Sequence, residues 1–272
     1  MASAPRRPVN RRAGLLLIVA VLTFGVGAVL WSGRPTPPLP QMTPPLPGPC
    51  REQIFDGDPY VVCVLPPDHY AISLAHNDGQ ADTAAKVTDL VRARVAAGRP
   101  PVLAMNGGMY DAELEAIGLL IEDGRELKPL NLRDGPGNFH LKPNGVFAID
   151  RSGRARVVDS AAWAPGQTTA FATQSGPLLV LGGALHPAFN ANGASRYRRN
   201  GVGVRKDGTV VLAISRRRVS FGAFARLFRD ALACPDALFL DGAVSALAGP
   251  QGSIVGGPFA AGPVILVDRR RE

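Results

Sequence analysis

Metal-binding and redox residues are scarce in this chain. Its 272 residues include three Cys and four His, no Cys-x-x-Cys occurs, and His69, His76, His140 and His186 have no helical ligand spacing. That pattern excludes the common zinc frameworks, and no metal or other cofactor is expected. Cys50, Cys63 and Cys234 suit an exported protein with one disulfide. A Cys50–Cys63 bridge would tie the first strands into a hairpin, and pairing of either residue with Cys234 is also open.

Several catalytic signatures are missing. Ser245 lies in no Gly-x-Ser-x-Gly elbow, there is no Walker loop, and Gly201-Val202-Gly203 lacks the third Gly of a dinucleotide fingerprint. Serine hydrolase, kinase and dehydrogenase readings fall accordingly. Acidic residues are absent from residues 1–49, which hold five Arg (Arg6, Arg7, Arg11, Arg12 and Arg34). The remainder carries 25 basic and 22 acidic residues, so the formal net charge of +8 shrinks to +3 there. No nucleic-acid partner is expected from such a balance.

What the chain does have begins with Arg6-Arg7 and Arg11-Arg12, followed by an uncharged apolar run over residues 13–31. Nineteen residues rising about 1.5 Å each suit one membrane crossing. The basic flank stays in the cytoplasm and sends the rest outside. The expected layout is a basic cytoplasmic end (1–12), a signal anchor or signal peptide (13–31), a Pro-rich linker (32–49), one domain (50–268) and a basic tail (269–272). Membrane contact is expected through residues 13–31. The expected location is the inner membrane, single-pass, with a periplasmic domain, or a secreted protein if the segment is cleaved. Eight Pro between positions 35 and 49 predict a stiff, extended spacer that contributes no core.

Beyond the spacer, residues 60–65 and 70–74 read as strands joined by Pro66-Pro67-Asp68. A helix is expected over 81–97, with Ala84, Val87, Leu90, Val91 and Val95 on one face. Asp123-Gly124, Ser152-Gly153 and Asp207-Gly208 each sit between apolar runs, as in tight hairpins. Ser220 is placed to cap a second helix over 221–233. Strands are expected at 102–105, 237–240 and 263–267. The fold expected is α+β: a mixed, largely antiparallel sheet core with few helices, preceded by the membrane helix and Pro-rich spacer.

Three segments share one grammar, an apolar strand running into Gly and small polar residues: Met105-Asn106-Gly107-Gly108-Met109-Tyr110, Gln174-Ser175-Gly176-Pro177 and Phe239-Leu240-Asp241-Gly242-Ala243-Val244-Ser245. Rigid strands hold polar groups at such ends in fixed positions, which is how a site is built. Asp241 reads as a partly buried carboxylate, fit to act as nucleophile, base or substrate anchor. Asn106 closes an Asx-turn or aims an amide at a sugar hydroxyl, Tyr110 offers a stacking face and a phenol, and Gln174 and Ser175 add donors. Arg198 and Arg199 are adjacent in a strand opening, so at most one faces a given site. Arg216-Arg217-Arg218 reads as a solvated loop.

Together with Gly135-Pro136-Gly137-Asn138-Phe139-His140-Leu141-Lys142-Pro143-Asn144-Gly145-Val146-Phe147 and Arg199-Asn200-Gly201-Val202-Gly203-Val204, these motifs resemble the phosphodiester glycosidase domain family, which includes the lysosomal uncovering enzyme. The chain looks like an exported bacterial member, with the resemblance running from about Cys50 to Val267. It implies hydrolysis of a sugar-1-phosphodiester with release of a phosphomonoester. Asp241 would be catalytic, and Asn106, Gly107, Tyr110, Gln174, Ser175, Gly176, Arg199 and Ser245 would bind the carbohydrate phosphodiester, Arg199 holding the phosphate. Where the family often has Asp-Gly-Gly-Gly-Ser and Asn-x-Gly-Phe-Phe, this chain has Asp241-Gly242-Ala243-Val244-Ser245 and Met109-Tyr110, so a reshaped pocket is expected. Glu113, Glu115 and Glu122 are candidates for a second carboxylate. The alternative is a non-catalytic module that binds cell-envelope glycan through the same pocket.

Overall fold

Short runs of β-branched and aromatic residues, punctuated by Gly, Asp and Pro turns, build three sheets around shared apolar layers. The computed structural model describes residues 44–76, 86–164, 166, 168–242, 244–257 and 259–270. The expected membrane segment, most of the linker and the start of the expected first helix lie outside the described residues.

The strands, in chain order, are β1 (Cys50–Phe55), β2 (Asp58–Leu65), β3 (Tyr70–Ala75), β4 (Leu103–Asn106), β5 (Leu120–Glu122) and β6 (Arg125–Lys128). Then come β7 (Gly145–Asp150), β8 (Ala155–Asp159), β9 (Thr169–Ser175), β10 (Leu178–Leu181), β11 (Ala184–Leu185) and β12 (Asn200–Val204). The last are β13 (Val210–Ser215), β14 (Asp236–Phe239), β15 (Leu247–Gly249), β16 (Gly252–Val255) and β17 (Val264–Arg269). One sheet has the order β1-β2-β13-β12-β14-β10-β11, a second β16-β15-β4-β17-β3 and a third β6-β5-β9-β7-β8. Among the described strands every pairing is antiparallel, so the mixed sheet expected from sequence narrows to an antiparallel one.

The three expected hairpins form, as β5–β6, β7–β8 and β12–β13. The pair expected around Pro66-Pro67-Asp68 does not: β2 pairs with β1 and β13, whereas β3 crosses to the second sheet and pairs with β17. The turn is therefore a corner between sheets. Cys50 and Cys63 face each other across β1 and β2 and are disulfide-bonded, which leaves Cys234 as a buried thiol.

One core joins all three sheets, with Val61, Leu103, Leu120, Phe147, Leu212 and Ile265 among its buried members. The seven-stranded sheet is covered on both faces, which is why β13 is buried at all six positions instead of alternating. Its other face packs against α2 (Phe221–Arg226) and a π-turn at Leu227–Ala231, where Phe224 and Phe228 meet Tyr60, Val62 and Phe239. Burying a Phe side chain of this kind contributes about 2–3 kcal/mol. Ser220 caps α2 as expected, accepting from Ala223 N at 3.1 Å. The helical run expected to Ala233 loosens into the π-turn after Arg226, a widening that sequence periodicity does not mark.

The first helix, α1 (Val87–Ala96), buries Val87 and Val91 against the second sheet, but Val95 from the expected stripe is exposed. The end of the Pro-rich stretch also departs from expectation. Leu46 packs on the core, and Val64 N donates to Pro49 O at 3.0 Å, so these last residues are part of the domain.

Candidate active site

Asp241 follows β14 by two residues, at the same sheet ends as Asn106 of β4 and Asn200 of β12. Its backbone is held from both sides: Asp241 N donates to Gly107 O at 3.2 Å, and Asn106 Nδ2 donates to Asp241 O at 2.8 Å. Asn106 in turn accepts at Oδ1 from Ala246 N at 2.8 Å and from Asn200 Nδ2 at 3.0 Å. The Ser245 hydroxyl, with one proton to share, lies 3.1 Å from Asn200 Oδ1, 3.2 Å from Gly242 O and 3.4 Å from Arg198 O. Asn106, Asn200 and Ser245 are buried, so this polar network is satisfied from within the protein. Neither role read for Asn106 from sequence is the one observed. Its amide braces the carbonyl of Asp241, a partner 135 residues away in the chain.

Asp241 itself is partly exposed, at the mouth of this rigid frame. Tyr110 stands beside it. The phenol donates to Ala260 O at 2.7 Å, and the ring lies over Gly262. Burial, and after it the Asp241 carboxylate, raise the Tyr110 phenol well above its ordinary range, so it stays protonated at neutral pH. The result is a carboxylate on a braced backbone beside a neutral phenol.

Beyond Asp241 the chain turns at Gly242, where an added Cβ would lie 2.6 Å from the Phe239 ring and 3.1 Å from Arg198 O. Only Gly permits that approach. Arg198 and Arg199 do face opposite ways, as extended backbone requires. Arg199 points inward and is 1% exposed. Its Nε donates to Val219 O at 3.0 Å, its Nη2 donates to Ser195 O at 2.9 Å, and its guanidinium lies 3.4 Å from the Phe221 ring centroid and 5.3 Å from that of Phe239. Burial pushes its pKa down to about 10, which leaves it a cation at neutral pH. Among the described residues it has no carboxylate partner, so carbonyls and aromatic faces meet its charge. Arg198 is the member that faces out. With Tyr197, Arg216, Arg217, Arg218 and Gly242 it lines a cavity of about 430 Å³. The arginine run read as a solvated loop is thus one wall of a cavity next to Asp241.

The third strand-end segment is turned inward. Gln174 Oε1 accepts from Leu119 N and Asn131 N, while its Nε2 donates to Asn131 O and Ser160 Oγ, all within 3.1 Å. Its amide is fully used in clamping the Asn131 loop to β9. Ser175 is buried, and its hydroxyl has no protein partner among the described residues. Gly176 packs against Asn144 and Phe139 O, where an added Cβ would come within 2.7 Å of each. Of the carboxylates considered as a second acid, Glu113 is exposed, Glu115 pairs with Lys128 at 3.0 Å, and Glu115 and Glu122 both gather at His76. Burial, then Asp123, raise the Glu122 carboxyl above its ordinary value.

Sequence reasoning did not single out Asn200, and it gave the site-facing role to Arg199 and read Arg216-Arg217-Arg218 as a solvated loop. The adjacency of Arg198 and Arg199 said that at most one of them faces a given site, but not which.

Residues 100–260 match the family described as phosphodiester glycosidase. The uncharacterised protein YigE of Escherichia coli K12 is 36% identical over 168 residues, covering 62% of this chain and 66% of that protein, just under two thirds of its length. Among solved structures, the catalytic domain of zebrafish N-acetylglucosamine-1-phosphodiester alpha-N-acetylglucosaminidase, auto-inhibited by its pro-peptide, superposes with a TM-score of 0.57 at 15% identity, covering 81% of this chain and 82% of that one. A hypothetical protein from Synechocystis superposes with a TM-score of 0.55 at 16% identity, covering 81% of this chain and 61% of the other. These two likenesses are of fold. With the family match spanning more than half of the sequence, on a sheet frame that carries Asp241 at a braced strand end, the chain belongs to the phosphodiester glycosidase family.

Proposed function

We propose that this protein hydrolyses a sugar-1-phosphodiester outside the cytoplasm, tethered through residues 13–31, and releases a phosphomonoester. The observation that carries the reading is the partly exposed Asp241, its backbone held by Gly107 and Asn106 and its carboxylate beside the protonated Tyr110. Zebrafish N-acetylglucosamine-1-phosphodiester alpha-N-acetylglucosaminidase shares the fold and gives the class of bond broken.

In this reaction the bond between the anomeric carbon and the phosphate oxygen breaks, and its electron pair leaves with the phosphate. Water supplies the oxygen that ends on the anomeric carbon, and its proton ends in solvent, by way of the carboxylate where that group acts as the base. The leaving phosphomonoester has a last pKa of about 6, so it departs as an anion and needs no strong general acid. Asp241 supplies negative charge as the anomeric centre becomes cationic, either by bonding to it or by deprotonating the attacking water. Arg198 faces the leaving phosphate. Arg199, assigned that role by the family resemblance, acts beneath the surface by holding Ser195 and Val219.

The test is phosphomonoester release by the full-length protein from a panel of sugar-1-phosphodiesters, N-acetylglucosamine forms included, beside Asp241→Asn. Turnover is expected in the parent and a loss of at least 100-fold in the variant, with the thermal midpoint retained. Full activity in the variant would refute the assignment. Glycan binding without turnover by both proteins would favour the non-catalytic envelope module.

A further inference from the structure

We propose that the arginine-lined cavity beside Gly242 is a subsite for a second phosphate group on the aglycone, so that the substrate is a sugar-1-phosphodiester whose leaving group is itself a phosphate ester or polyphosphate. This rests on the glycosidase reading above and names the substrate class it acts on.

Four arginines, Arg198, Arg216, Arg217 and Arg218, line a single cavity of about 430 Å³. That volume is within the range of small-ligand sites. One of the four is already neutralised: Arg216 pairs with Glu52, its Nε at 2.9 Å, and its Nη1 donates to Ile254 O at 3.0 Å. Among the described residues Arg198, Arg217 and Arg218 have no ion pair. Three unpaired cations exceed what one scissile phosphodiester, with a single negative charge, requires.

The cavity is also built, which an ordinary solvated charge run is not. Arg199 fastens its two walls from below, tying Ser195 on the segment that carries Arg198 and Val219 on the segment that carries Arg217 and Arg218. A backbone bridge between Tyr197 and Val219 joins the same two segments. Arg198 Nη2 approaches Arg216 O at 3.5 Å across them. Guanidinium groups carried on tied backbone segments suit phosphate oxygens, which they can bind in a forked geometry. Gly242, which lines the cavity, directly follows Asp241, so the cavity adjoins the carboxylate-bearing turn, and the proposal puts the aglycone on that side.

The test is calorimetric binding of orthophosphate, inorganic pyrophosphate and propane-1,3-diyl bisphosphate to the full-length protein at low salt, where exposed charges act most strongly. Pyrophosphate or the bisphosphate should bind at least about tenfold more tightly than orthophosphate, as one added charge-assisted contact gives. The bisphosphate arm separates a repeating phosphodiester aglycone from a pyrophosphate-linked one. Arg217→Gln/Arg218→Gln should lose the increment, whereas Arg154→Gln, in the β7–β8 hairpin, should keep it. Both cavity residues are exposed, so the double variant should fold, and the single variants serve as a check. Equal affinity for one phosphate and two, or an unchanged increment in the double variant, would overturn the proposal. So would turnover with a KM indifferent to a second phosphate on the aglycone. Because binding needs no turnover, tight pyrophosphate binding by a protein that turns over none of the sugar-1-phosphodiesters would sink the glycosidase reading while leaving the anion subsite standing.

Discussion

Replacing Asn106 by Ala removes the side chain at the centre of the frame under Asp241. Three hydrogen bonds go with it: Nδ2 to Asp241 O at 2.8 Å, Ala246 N to Oδ1 at 2.8 Å and Asn200 Nδ2 to Oδ1 at 3.0 Å. Asn200 Nδ2 keeps the Asn106 backbone carbonyl at 3.0 Å, so it is not stranded. At about 1 kcal/mol net for each lost bond, plus about 1 kcal/mol for polar backbone left unpaired in a fully buried site, the expected loss is about 4 kcal/mol. Set against a total of about 5–15 kcal/mol, the variant should fold with a clearly lower urea midpoint and an unchanged slope. Ser245→Ala removes one shared hydroxyl proton from the rim of the same network and should cost only about 1 kcal/mol. Its effect should be non-additive with that of Asn106→Ala, since both act on Asn200. The assay is urea unfolding of the full-length protein in detergent, followed by far-ultraviolet circular dichroism. A loss below 1 kcal/mol for Asn106→Ala, or strict additivity with Ser245→Ala, would refute the claim that this network holds Asp241 in place.

Three further outcomes are expected. Glu122 has a folded pKa raised by burial, so its stabilising share is present below its unfolded pKa and lost as pH rises through the folded value. Glu122→Gln should therefore be neutral or stabilising at pH 7, with the difference shrinking below about pH 4; a clear loss of stability at pH 7 would show that the charge is needed. Burial pushes the Cys234 thiol up to about 12, so it should resist alkylation in the native protein at pH 8 and react only on unfolding. By the same sign rule its neutral form supports the fold below about pH 9, and that support fades as pH climbs toward 12. Rapid native labelling would contradict its burial. The Cys50–Cys63 bridge closes a separation of 13 residues, so reduction, or Cys50→Ser/Cys63→Ser, should lower stability by about 3 kcal/mol; a shift below 1 kcal/mol in a reduced urea titration would show that the loop is already ordered in the unfolded chain.

Local chemistry was legible wherever neighbours in sequence decide the outcome. The Gly-containing dipeptides between apolar runs do mark β5–β6, β7–β8 and β12–β13, Ser220 caps α2, and β14 delivers Asp241, because turn geometry, capping and strand length are settled within a few residues. The motifs along the chain were likewise enough to identify the family. Only the tertiary structure decided what those residues touch. Asn106 and Asn200 meet across 94 positions, and that contact turns an amide read as a ligand donor into a brace. Alternation said that Arg198 and Arg199 diverge, but the aromatic slot formed by Phe221 and Phe239 chose which one is buried. Arg216-Arg217-Arg218 became a cavity wall only because Val219 is tied back to Arg199 and Tyr197. Strand pairing of Cys50 with Cys63, and the crossing of β3 to another sheet, were settled the same way. Sequence determines which groups are available and how each short segment turns, whereas the meeting of distant groups depends on packing that maximises apolar burial and leaves few buried polar atoms unpaired.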